Sequence, residues 1–209
     1  MTELVEYWGV EDSSISFCEK NYDSSKYIAE YYNTLTAFGS VFVGVYFLKT
    51  RLREETAYAM MALGFATAMF HGTMRYWGQW GDELSMIYLS FMLIKEVHNN
   101  LPYMFLAWMV GTYLMYWDTF IVFFMMFMGM QTYLYLLSMK IRHIKDNNRL
   151  FMAKEVCIYL SMFCWVLDHL FCNNYEYFHA FWHILTSMTL FFGGKILSNY
   201  KESLLLKSE

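Results

Sequence analysis

Residues 119–139 read TFIVFFMMFMGMQTYLYLLSM, an unbroken run without a formal charge. About 20 predominantly apolar residues is the length at which an α-helix crosses a bilayer. The run is typical of the whole chain. Of 209 residues, 57% are hydrophobic, 21% aromatic and only 16% charged. A soluble domain is about 45–50% apolar and about 25% charged, and keeps roughly a quarter to a third of its chain surface in water. So much apolar surface cannot be hidden by one soluble domain of this size, which excludes a soluble enzyme. The aromatic content excludes disorder, and four cysteines are too few for a disulfide scaffold. Segments of about ten strictly alternating residues, the mark of a barrel, do not occur.

Working outward, six further runs match this length: 27–48, 56–76, 81–97, 101–117, 151–171 and 177–197. The expected fold is an all-α membrane protein, a seven-transmembrane helix bundle. A loop at 1–26 precedes the bundle at 27–199, and a tail at 200–209 follows it. Pro102 opens the fourth run, at a first turn where its missing N–H costs little. Short connections make sequential helices antiparallel neighbours. Seven spans place the ends on opposite sides. Lys20, Lys26 and Arg75 then fall on the N-terminal side. The other twelve of the fifteen basic residues, Lys145 and Lys207 among them, fall on the opposite side. The positive-inside rule puts the C-terminus in the cytosol and the N-terminus in a lumen or outside.

The N-terminal loop is acidic, with Glu3, Glu6, Glu11, Asp12, Glu19 and Asp23 against Lys20 and Lys26. It lacks a basic-then-apolar pattern, so no cleavable signal peptide is expected. No basic surface large enough for nucleic acid is evident, and no obligate protein partner.

Ionisable residues inside spans are costly and are candidates for function. The topology gives each a depth. His71 lies near the outer end of the second span, Asp82 and Glu83 at the outer start of the third, and Asp168 and His169 at the outer end of the sixth. His179 and His183 fall in the first two turns of the seventh. The last pair is spaced i, i+4, which puts both rings on one helix face. With His71 they make three ligands and leave a fourth position open, as at a catalytic zinc. Interfacial hydrogen bonding is the bland alternative. Asp168 and Glu83 are candidate partners for the outer ring nitrogens. Cys157 and Cys164 lie deeper in the sixth span, while His98 and His143 read as solvated loop residues. Cys18 and Cys172 share the non-cytosolic side, where disulfides persist, and a bond between them is expected.

The segment Ser16-Phe17-Cys18-Glu19-Lys20-Asn21-Tyr22-Asp23 alternates oxygen-bearing side chains, and Glu30 and Asn33 follow. By itself it reads as a capping segment, with Ser24 or Ser25 starting the first helix. A hard-cation site built from these oxygens is the alternative.

Taken together these blocks resemble the alkaline ceramidase family over nearly the whole chain. The resemblance rests on Tyr7-Trp8-Gly9, Phe17 to Tyr22, Tyr27 to Thr34, Phe70-His71, Gln79, Asp82 to Tyr88, Asp168 to Cys172 and Phe178 to Thr186. It implies a seven-helix intramembrane zinc hydrolase of the endoplasmic reticulum or Golgi. Such an enzyme cleaves the amide of a ceramide-type lipid into a sphingoid base and a free fatty acid. His71, His179 and His183 are then the zinc ligands, and Asp82 handles the protons. Thr67, where the family has serine, donates to the developing oxyanion. The resemblance also implies calcium held by Glu19, Asn21, Glu30 and the Phe17 carbonyl. Ser16 stands where the family has aspartate, which weakens that site. The family disulfide falls on Cys18 and Cys172.

Two other readings stand beside this one. A superfamily receptor of adiponectin- or progestin-receptor type would carry the zinc as a structural ion. A retinal-type or transport protein would need a mid-span lysine, and Lys195 lies near the cytosolic end.

Overall fold

The computed structural model describes residues 7–144, 146–172 and 176–206. Glu3 and Glu6 of the acidic loop, and Lys145 and Lys207 of the basic set, lie outside the described residues. Within them the chain is all-helical, without a strand. The segments are α1 (Tyr31–Ala37), α2 (Gly39–Phe47), α3 (Glu54–Thr73), α4 (Tyr76–Val97), α5 (Tyr103–Met115), α6 (Phe120–Ile141), α7 (Asn147–Leu170) and α8 (Phe178–Leu205).

The first expected span is divided at Phe38. Thr34 and Thr36 donate their hydroxyls to the Glu30 and Tyr32 carbonyls at 2.6 and 2.8 Å, a back-bonding that bends helices. The span also starts later than expected, at Tyr31. Neither Ser24 nor Ser25 caps it. The Glu19 carboxylate does, accepting the N–H groups of Tyr32 and Asn33 at 2.7 and 2.8 Å. A second boundary moves the other way. α4 begins at Tyr76 rather than at 81, so Asp82 and Glu83 lie well inside the helix instead of at its mouth.

Two helices, α6 and α7, are by length and composition able to cross a membrane, and α5 is apolar but only 13 residues long. α4 departs from that composition because it carries Asp82, Glu83, Lys95 and Glu96. Its cytosol-expected end is held by partners. Glu96 accepts the Arg53 N–H at 2.8 Å and the Thr56 hydroxyl at 2.5 Å, and pairs with Lys201. This one carboxylate fastens the start of α3 to α4 and α8. Lys95 donates to the Leu101 carbonyl at 2.7 Å, closing the end of α4.

α7 packs along α8, and α3 lies between α2 and α4. The close approach of α2 to α3 depends on glycine. A Cβ on Gly44 would lie 2.7 Å from the Ala57 carbonyl oxygen, and one on Gly64 2.9 Å from the Val41 nitrogen. Phe47, Met60, Ile87, Phe91, Met92 and Ile196 are sealed from solvent in the same half of the bundle. The other half is covered by the N-terminal loop, whose Phe17 and Tyr22 pack on Ala29, Phe70 and Met74.

Gly64→Ala is expected to destabilise the fold by about 1–3 kcal/mol through overpacking. Gly129→Ala, where a Cβ meets open space, is expected to cost nothing and to gain up to about 1 kcal/mol of helix propensity. Thermal melting of the two purified variants beside the wild type checks both.

Candidate metal centre and active site

α3 ends where Met74 turns left-handed, at φ 49°, a common way to stop a helix. The carbonyls freed on that last turn are taken by the loop. Ala29 N–H donates to the Gly72 oxygen and Glu30 N–H to the His71 oxygen, each at 2.9 Å. The start of α1 is thereby stitched to the backbone of His71.

The same contact brings in a side chain. Glu30 is 1% exposed, and its Oε2 lies 2.6 Å from His71 Nδ1 and 3.0 Å from Asn33 Nδ2. A carboxylate accepts, so His71 carries its proton on Nδ1 and keeps a bare lone pair on Nε2. That is the tautomer a metal ligand needs.

α8 delivers His179 and His183 to the same point. Ligand atoms of His71, His179 and His183 all lie within 4.8 Å of one another, and all three residues are buried. His71 Nε2 and His183 Nε2 are 3.0 Å apart. Three imidazole nitrogens on a tetrahedral zinc stand about 3.3 Å from each other, given bonds of about 2.0–2.1 Å. His179 Nδ1 is buried without a hydrogen-bond partner. The three side chains therefore fit one divalent ion.

Asp82 opens onto the same cavity, of about 410 Å³, as His71 and His179. Thr67 does not reach out toward a substrate oxygen. Its Oγ1 lies 2.5 Å from Asp82 Oδ1 and 2.8 Å from the Leu63 carbonyl oxygen. A hydroxyl has one proton for these two acceptors. The hydroxyl donates to the Asp82 carboxylate and shares its proton with the Leu63 carbonyl. Thr67 thus grips the Asp82 carboxyl.

The roof of the cavity is the loop at Ser14 to Phe17. It hangs on a polar chain absent from the sequence reading. Ser14 N–H donates to Gln79 Oε1 at 2.8 Å, Gln79 Nε2 to Glu83 Oε1 at 2.8 Å, and Tyr113 OH to Glu83 Oε2 at 2.6 Å. Glu83 is therefore a roof support and not a partner of a histidine. Asp168 accepts the Cys18 N–H at 3.4 Å and also the backbone N–H of His179, and its Oδ1, like His179 Nδ1, is buried without a hydrogen-bond partner. Cys18 and Cys172 are joined by a disulfide that ties the loop to the end of α7, as expected from their shared side. Cys157 and Cys164 are free and take no part in the histidine cluster. His98 bonds the Tyr133 hydroxyl at 2.8 Å.

The oxygens of the loop are largely engaged. Besides its capping of α1, burial pushes the Glu19 carboxyl above its ordinary range, while the two N–H donors pull it back. Asn21 Nδ2 donates to Glu11 at 2.8 Å, and Asn21 Oδ1 is buried without a partner. Lys20 pairs with Glu176, which holds its ammonium above the ordinary range.

A family model described as Ceramidase matches residues 9–205. The chain belongs to the ceramidase family. It is 25% identical to the putative alkaline ceramidase dcd3A of Dictyostelium discoideum, over 88% of this chain and 85% of that protein. It is 28% identical to the alkaline ceramidase of Drosophila melanogaster, over 82% of this chain and 71% of that one. A shorter match to the putative alkaline ceramidase dcd3B of Dictyostelium discoideum reaches 32% over 45% of this chain and 41% of that protein. The chain is accordingly an amidohydrolase of the alkaline ceramidase kind.

Loss of the carboxylate behind a metal-ligating histidine typically costs about 10–100-fold in metal affinity. Glu30→Ala is expected to show that loss in zinc titrations against a competing chelator, and His71→Ala to lose stoichiometric binding. Wild-type affinity in Glu30→Ala would remove Glu30 from the metal centre.

Proposed function

We propose that this chain hydrolyses the amide bond of ceramide-type lipids to a sphingoid base and a free fatty acid, within a membrane and with zinc at the histidine triad. The observation that carries this reading is the cavity. Two of the three clustered histidines and Asp82 line it, and its remaining walls are largely apolar, with Phe120, Phe123, Phe124, Phe127 and Met162. A reactive polar end and an apolar body match an amide flanked by long hydrocarbon chains. The relatives' names as alkaline ceramidases support the same substrate.

Zinc in a three-histidine seat supplies Lewis acidity and makes a water molecule ionise near neutral pH. The protein's own groups do the rest. Glu30 fixes the His71 tautomer and ring direction. Asp82 accepts the proton of the attacking water and returns it to the departing amine, acting as base and then as acid. Thr67 holds Asp82 in position. The loop roof limits the entry of bulk water from the N-terminal side, and the apolar walls hold the two chains of the substrate.

We read the architecture as seven spans, with α1 and α2 forming one bent span. Residues 1–26 then form a lumenal loop, 27–199 the hydrolase domain and 200–209 a cytosolic tail. The outward faces suit lipid: Met104 is 82% exposed, Phe42 73% and Tyr159 69%. The charged residues that remove α4 from a purely apolar composition are those given partners above. Residence in the endoplasmic reticulum or Golgi goes with the lumenal disulfide. Calcium is assigned to the loop oxygens of Phe17, Glu19, Asn21 and Glu30, with the unpartnered Asn21 Oδ1 as its best-supported ligand. The missing carboxylate at Ser16, and the hydrogen bonds already made by Glu19 and Glu30, make that binding weak.

Asp82→Asn is expected to keep bound zinc while kcat for a defined ceramide falls about 10²–10⁴-fold, the usual worth of a general base. His183→Ala is expected to lose both the metal and the activity. Sphingoid-base release beside metal analysis of the same samples separates the two effects. Full activity in Asp82→Asn would contradict its role.

A further inference from the structure

Two polar groups that line the cavity have no task in the mechanism above. The first is His169, on the last turn of α7. Its Nδ1 lies 3.1 Å from the Trp165 carbonyl oxygen, and its ring packs on the Trp165 indole with centroids 4.2 Å apart. A carbonyl oxygen only accepts, so the proton sits on Nδ1. In the neutral ring Nε2 is then a bare acceptor. The second group is Ser16, an exposed residue of the roof loop. Its hydroxyl makes no hydrogen bond among the described residues.

Four other polar side chains around the cavity are engaged with protein partners. Ser14 is on Gln79, Glu83 on Gln79 and Tyr113, Asp82 on Thr67, and His71 on Glu30. One fixed acceptor and one unengaged hydroxyl therefore border a space that is otherwise apolar or catalytic. An alcohol is the ligand group that both donates and accepts one hydrogen bond at such a pair.

We propose that His169 and Ser16 form a specificity subsite for a hydroxyl of the substrate beside the scissile amide. The substrate hydroxyl donates to His169 Nε2 and accepts from the Ser16 hydroxyl. This rests on the ceramide reading and deepens it. A sphingoid base carries hydroxyls flanking its nitrogen, whereas a plain acyl chain has none. The subsite therefore sets the direction of binding, with the sphingoid headgroup toward α7 and the roof loop.

The test compares kcat/KM for a ceramide with that for the same amide lacking the primary or the secondary hydroxyl. Wild-type protein is expected to prefer the parent over at least one analogue by roughly two- to tenfold, the size of one net hydrogen bond. His169→Phe brings that ratio to about one. His169→Gln, whose amide oxygen still accepts, keeps part of it, and Ser16→Ala lowers it by a smaller factor. The ratio is taken within each variant, so a reduced folded fraction cancels. Equal rates on all three substrates by the wild type would overturn the subsite alone, as would unchanged ratios in both His169→Phe and Ser16→Ala. No hydrolysis of any of the three by the wild type would instead overturn the ceramide reading, and the subsite with it.

Discussion

A buried carboxylate set against a ring nitrogen organises this molecule. Glu30 is sealed from solvent with His71 Nδ1 2.6 Å away. A carboxylate in an apolar interior is very costly without a partner, so the contact constrains both chains that supply it. On one side it fixes the point at which α1 begins. On the other it fixes the tautomer of His71, and with it the nitrogen presented to His179 and His183. The backbone bonds of Ala29 and Glu30 to the end of α3 hold the pair in register. The loop carrying Glu19 caps the same helix start, and the disulfide carries the constraint on to α7. Loop, α1, α3 and α7 are thus tied together around one carboxylate.

The bundle is divided by polarity along its length. The half sealed by Phe47, Met60, Phe91 and Ile196 is a packed apolar plug, closed at its end by the Glu96 cluster. The half under the loop holds the histidines, Asp82 and the cavity. Rigid packing below and hydrogen-bonded loop structure above serve different ends. The plug keeps α3, α4 and α8 at fixed spacing, and the polar half places reactive groups at the top of those same helices. A site on three well-packed helices needs little further ordering when a substrate arrives.

The helices were legible in the sequence because apolar runs of spanning length are a strong signal, and α6 and α7 match it closely. The ends were less legible. α1 starts late because Glu19, distant in sequence, caps it, and α4 starts early because the still more distant Asp12 accepts the Tyr76 N–H at 2.6 Å. The histidine triad was legible because His179 and His183 share a helix face and topology brings His71 to their depth. The carboxylate behind His71 was not. Glu30 is 41 residues away, and its neighbours Glu19 and Asn21 suggested a cation site instead. Tyr113 carried no signal at all, being one of 18 tyrosines. Thr67 was legible as a hydroxyl near the site, but only the geometry turns it toward Asp82. Partner choice among polar side chains is set by tertiary packing, which spacing along a chain does not encode.

The proposed hydrolysis depends on a metal at the three histidines. The direct measurement is sphingoid-base release from a defined ceramide by the purified protein, first stripped of metal by a chelator and then titrated with zinc. Activity is expected to disappear on stripping and to return in proportion to zinc, reaching its plateau at one equivalent per chain. Undiminished hydrolysis by fully stripped protein, or none by protein carrying one equivalent of zinc, would contradict it.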